Sequence, residues 1–171
     1  MTWTAPEATR ATGSLTGGER ETLTGFLAFY RGTLLQKCAG LTGEQLAEQT
    51  VEPSNLTLLG LIRHMAKVER IWFREGLGGL PLPPMYGAEK GKDADFEDLS
   101  PDRAPEDYAR LIEEIRLADE MAAGASLDTT FTRRGTVYSL RTVHVHMIAE
   151  YARHIGHADL LRERLDGVTG A

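Results

Sequence analysis

LRTVHVHMIAEYARHIGHADLLRERLDG, residues 140–167, holds four of the five histidines of a 171-residue chain. Its apolar spacing predicts one long helix from about Leu140 to Asp166, capped by Gly167. A helix turns about 100° per residue, so side-chain directions follow from position. With His146 at 0°, Glu150 points to about 40°, His154 to about 80° and His157 to about 20°. His144 points to about 160° and reads as a surface or groove residue. Val143, Met147, Leu161 and Leu165 fall near 60–100°, so the His/Glu arc overlaps the core-facing stripe. Inward polar groups need partners, because a bare one costs about 1–3 kcal/mol. On the opposite side, Val145, Ala149, Ala152 and Gly156 line up near 240–300°. A helical glycine costs about 1 kcal/mol relative to alanine. Gly156 therefore implies a close backbone approach, to another helix of the bundle or to a second subunit.

Outward from this segment, the chain predicts three further long helices. The first opens at a Thr16/Glu19 capping box, runs to about Cys38 and stops at Gly40. A short turn follows at Thr42 to Glu48, with Thr42 and Gln45 again in capping-box register. The second long helix spans about Leu56 to Gly76, with Leu58, Leu61, Ile62, Met65, Val68, Ile71 and Trp72 as its apolar set. Arg63, Lys67, Arg70 and Arg74 then form a solvated basic face, which reads as ordinary surface or, alternatively, as an anion-binding face. The third long helix runs from about Pro105 to Ala123. Between them, Gly76 to Ala104 is irregular, with an acidic run at Asp93 to Asp98. It reads either as a cover for a pocket or as a surface crossover. Thr129 to Tyr138 suggests a small hairpin around Gly135. The expected fold is all-α: a four-helix bundle with a long central connection and a short extended excursion before the last helix. Residues 1–16 read as an irregular arm, and 17–171 as a single domain.

Composition narrows the function. The net charge of −6 argues against a broad nucleic-acid footprint. One cysteine excludes disulfides within the chain and zinc sites built on cysteine pairs. Cys38 itself reads as a buried structural thiol. No apolar run approaches the ~20 residues of a membrane span. The polar first residues carry no export or transit signal, so a cytoplasmic protein is expected.

His64 lies among Leu61, Met65, Val68 and Trp72, and so faces the core. Glu150 and His154 have the i, i+4 spacing that lets two ligands of one helix reach one ion. With His64 from a facing helix, they make two imidazoles and one carboxylate, a set suited to a divalent metal with an open position. The spacing also fits a metal-free polar network. His157, three residues from His154, stands as an alternative ligand to Glu150. His146 and His157 otherwise read as hydrogen-bonding residues around the ligands.

The run RHIGHADLLRERLDG (Arg153 to Gly167), preceded by His146-Met147 and Glu150, resembles the last-helix signature of DinB/YfiT-like proteins. LTLLGLIRHMAKVERIWF (Leu56 to Phe73) is similar to their second-helix motif. The resemblance covers about Glu19 to Gly167. It implies a four-helix bundle, often dimeric, with a divalent metal held by one histidine of the second helix and two histidines, four residues apart, of the last. Carried onto this chain, the ligands are His64, Glu150 and His154, with a carboxylate where an imidazole is usual. That departure suits a harder ion somewhat better and leaves the metal's identity open. The expected ion is zinc, with nickel or manganese as alternatives. His157 falls where many relatives carry glutamine, which implies a supporting or substrate-facing role. Characterised relatives use mycothiol or bacillithiol for S-transfer or isomerisation. The expected function is thus a metal-dependent thiol S-transferase acting on small electrophiles. A metal-dependent hydrolase or isomerase without external thiol, or a non-enzymatic dimeric bundle that binds metal or a small molecule, stands as the alternative.

Overall fold

The computed structural model describes residues 2–87, 91 and 93–170. Residues 88–90 and 92 of the central connection lie outside the described residues. Four long helices form a bundle: α1 (Glu19–Cys38), α3 (Leu58–Glu69), α4 (Ala104–Ala123) and α5 (Leu140–Asp166). A short helix, α2 (Gly43–Ala47), sits between α1 and α3. The main pairings are α1 with α5 and α3 with α4, and α3 also packs on α5. Leu27 and Leu34 of α1, Leu61, Ile62 and Met65 of α3, Leu111 of α4 and Met147 of α5 meet in the core.

Local chemistry explains the boundaries. Thr42 and Gln45 form the expected capping box of α2. Thr57 caps α3 by accepting from Gly60 N–H at 2.9 Å, so α3 starts two residues later than its apolar pattern suggests. The Thr16/Glu19 box does not form: Gly18 is the N-cap of α1 and offers no side chain. Arg134 and Gly135 both have positive φ, as a two-residue type I′ turn requires. They join β1 (Thr130–Arg133) to β2 (Thr136–Ser139) in the expected hairpin. After Glu69 the helix widens into a π-helical turn, Arg70–Leu77. Apolar periodicity does not report that change. The N-terminal arm packs on the bundle, with Ala5 N–H donating to the Leu41 carbonyl and Gly40 N–H to the Ala5 carbonyl.

Three further expectations are corrected. The basic residues of α3 and its π-turn are not a solvated face. Arg70 and Arg74 bond Glu114 of α4, Lys67 pairs with Asp95, and Arg63 donates to the carbonyls of Glu97 and Asp98. The central connection and α4 cross that face, so its cations are partnered and largely buried. His144 is not a surface residue. The buried positions of α5 run from Val143 and Leu161 through Ala158 and Tyr151 to Ile155, about 60–180° on the same wheel. His144 lies inside that arc and donates from Nδ1 to the Leu140 carbonyl at 3.0 Å. Gly156 meets no helix of the bundle: a Cβ there would find nothing within 4 Å among the described residues, and Val145, Ala149 and Ala152 are exposed beside it.

One polar cluster joins all four long helices. Arg31 of α1 donates two bonds of 2.7 Å to Glu69 of α3 and one of 2.6 Å to Asp119 of α4. The Tyr151 hydroxyl of α5 donates to Glu69 at 2.8 Å. Burial and the neighbouring Glu69 charge push the Tyr151 pKa far up, so the hydroxyl keeps its proton and remains a donor.

Cys38 is fully buried, and burial raises its pKa to about 12. At pH 8 about one thiol in ten thousand would be ionised. The native protein should therefore leave Ellman's reagent unreacted for hours and release one equivalent of chromophore in guanidinium. Rapid native reaction would contradict this burial.

Candidate metal centre

Two helices and the central connection build the site. Glu150 and His154 lie one turn apart on α5, at the edge of its buried arc. His64 comes from the middle of α3. One ligand atom from each of the three lies within 4.8 Å of the others. His64 and His154 have ring centroids 4.6 Å apart. His154 Nε2 stands 3.4 Å from a Glu150 oxygen. The three side chains are 11–19% exposed, so the cluster is shallow but reachable.

Each imidazole is held from behind. His64 Nδ1 donates to Asp95 Oδ2 at 2.9 Å. Its Nε2 is buried and has no hydrogen-bond partner among the described residues. His154 Nδ1 lies 3.3 Å from His157 Nδ1, which leaves Nε2 toward Glu150. Burial, then the nearby His64, lower the His154 pKa to about 4 against the pull of Glu150. At neutral pH this imidazole is uncharged, the form that binds metal. The donor set thus fits a divalent ion: an unpartnered buried nitrogen, a neutral imidazole and a carboxylate converge on one point.

A wall stands beside the cluster. Trp72, in the π-turn, packs on His146 with centroids 4.5 Å apart and on Tyr138 of β2 at 5.0 Å. Arg133 of β1 lies over the Trp72 ring, 5.3 Å from its centroid. His146 Nε2 is 3.9 Å from Glu150. Burial, reinforced by Arg153 and Arg133 and opposed by Glu150, lowers the His146 pKa. A cavity of about 630 Å³ lies elsewhere, lined by Arg20, Arg31, Asp119 and His144 among others, and shares no residue with the cluster.

Of the residues singled out in the sequence, His64, Glu150 and His154 come together, His157 stands behind His154, and His146 flanks Glu150. His144 lies apart, against Phe73. Asp95 was not singled out. It was visible only as one member of the acidic run, and its contact with His64 spans 31 positions of chain.

Among the described residues no helix is long and apolar enough to cross a membrane. Comparison with curated proteins and with solved structures yields no match. A family model described as mycothiol S-transferase matches residues 22–167. That span runs from the first turn of α1 to the Gly167 cap and includes both halves of the His/Glu/His cluster. With most of its length matched, the chain belongs to the mycothiol S-transferase family.

Proposed function

We propose that this chain is a divalent-metal-dependent S-transferase. It joins a low-molecular-weight thiol of the mycothiol class to small electrophiles, and His64, Glu150 and His154 hold the ion. The observation that carries this reading is His64, whose buried Nε2 has no hydrogen-bond partner among the described residues and which clusters with Glu150 and His154. Zinc suits two imidazoles and one carboxylate best, and nickel or manganese are compatible with them. When bound, such an ion lowers the pKa of a coordinating thiol, so that the sulfur attacks as thiolate.

The chain's own residues supply the rest. His157 orients the His154 imidazole from its Nδ1 side. Glu150 contributes the one negative charge of the donor set, which moderates the charge of the loaded site. His146, about a third exposed and with a lowered pKa, offers a neutral imidazole to accept the thiol proton. Trp72 and Tyr138 give the electrophile an apolar surface to rest on.

The test uses untagged protein, because an affinity tag binds metal by itself. Elemental analysis should find one ion per chain. Conjugation of mycothiol to monochlorobimane should run at least about tenfold above the protein-free rate. Chelation should abolish that acceleration, and zinc should restore it. Metal-free protein that gives no acceleration after zinc loading sinks the proposal. Metal-dependent ester hydrolysis without added thiol would favour the hydrolase alternative.

A further inference from the structure

The central connection does more than bridge α3 and α4. Its 3₁₀ turn, Ala94–Phe96, is pressed onto α3 at His64. Asp95 is completely buried, and the oxygen that meets His64 Nδ1 also pairs with Lys67, one turn along α3. Phe96 stacks on the His64 ring, with centroids 5.4 Å apart and planes 27° from parallel. Gly60 makes room for it, because a Cβ there would stand 2.6 Å from Phe96 Cδ1. Arg63 donates to the carbonyls of Glu97 at 3.1 Å and Asp98 at 3.3 Å, which pins the residues that follow. Gly60, Arg63, His64 and Lys67 thus form one continuous seat for the turn.

A carboxylate only accepts, so the proton between His64 and Asp95 belongs to Nδ1. An imidazole protonated at Nδ1 carries its lone pair on Nε2. That is the buried nitrogen without a partner among the described residues, and His64 brings a ligand atom within 4.8 Å of those of Glu150 and His154. We propose that Asp95 is a positioning residue of the metal centre. It fixes the tautomer and the ring orientation of His64, and it makes the turn at residues 94–96 a working part of the site rather than a spacer. The inference rests on the metal-binding reading given above.

The expected size of the effect follows from outer-shell partners elsewhere, whose loss costs about 10–100-fold in metal affinity. The coupling is reciprocal. Whatever factor a seated Asp95 adds to metal affinity, bound metal adds to the seating of the turn. The turn carries its own reporters: Phe96 N–H donates to the Asp93 carbonyl and Glu97 N–H to the Ala94 carbonyl.

The experiment combines three readouts on the full chain, with zinc as the probe. Side-chain nitrogen NMR of the metal-free protein should show His64 protonated at Nδ1. Asp95→Asn should keep that tautomer, because the amide oxygen still accepts, and bind zinc several-fold more weakly because the charge is gone. Asp95→Ala should lose the tautomer preference and bind zinc about 10–100-fold more weakly. Zinc should slow amide exchange at Phe96 and Glu97 in the wild type, and this protection should shrink in Asp95→Ala. If Asp95→Ala fails to fold, the wild type and Asp95→Asn decide. A wild type protonated at Nε2 that still binds zinc would overturn this inference alone. A wild type protonated at Nδ1 that binds no zinc would overturn the metal-binding reading and, with it, Asp95's part in a metal site. Zinc affinities of both variants within twofold of wild type would overturn the positioning role.

Discussion

His154→Ala should empty the metal centre. Metal content of the untagged protein is expected to fall from one ion per chain to below about a tenth. Thiol conjugation should drop at least about a hundredfold, equivalent to ~2.7 kcal/mol of barrier. The mechanism is loss of one of three donors, where the remaining two span different helices. Thermal melting gives a second readout that needs no substrate. Zinc at about a hundred times its Kd should stabilise the wild type by ~2.7 kcal/mol, and His154→Ala not at all. For a chain of this size that is roughly a 5–10 °C shift. The pH response of the metal-free protein should change too. The folded pKa of His154 is about 4, below its ordinary 6.5. Its contribution to stability is therefore complete above pH 6.5 and is lost as the pH falls toward 4. His154→Ala should flatten the stability profile across that window. A His154→Ala protein that binds zinc as tightly as wild type would rule out the assignment of this ligand.

Glu69→Ala should cost more stability than any loss at the metal centre. Glu69 is fully buried and accepts from both Arg31 and Tyr151. Removing it leaves the Arg31 guanidinium buried, with Asp119 as its remaining carboxylate and that side chain 64% exposed. Breaking a buried pair from one side costs about 3–5 kcal/mol, roughly 6–20 °C of melting temperature here. Asp119→Asn should stay within about 1 kcal/mol, because solvent already screens that bond. The combined Arg31→Met/Glu69→Leu/Tyr151→Phe variant is expected to regain most of the loss, because it removes the charges together with their partners. A Glu69→Ala protein that melts within 2 °C of wild type would show that the cluster is not what ties the helices together.

The sequence and the structure agree where one helix decides the outcome. The apolar period of residues 140–166 gives directions for Glu150 and His154, and that of residues 58–69 turns His64 inward. These directions depend only on helical geometry, so they survive folding. They fail where a second element decides. Arg63, Lys67, Arg70 and Arg74 share a polar face on the wheel, and nothing in the wheel shows that Asp95 and Glu114 will cover it. Glu69 stands among those cations with no local sign that it will reach Arg31 on α1 and Tyr151 on α5. His144 was misplaced because the buried arc of α5 is wider, and centred further round, than its aliphatic residues alone suggest. Asp95 was hidden for a related reason: acidic runs in loops usually face water, and only the docking of the turn at Gly60 buries this one.

The pairing of α1 with α5 has a consequence for how the protein is made. About a hundred residues separate the end of α1 from the start of α5. At about 5–20 residues per second, a ribosome takes on the order of 5–20 s to cover that distance. Through that interval Leu27 and Leu34 of the nascent chain lack their final neighbours. Glu150 and His154, the proposed ligands on α5, have not yet been made, although His64 and then Asp95 have emerged. Closure of the bundle and completion of the proposed ligand set therefore come together, late in synthesis.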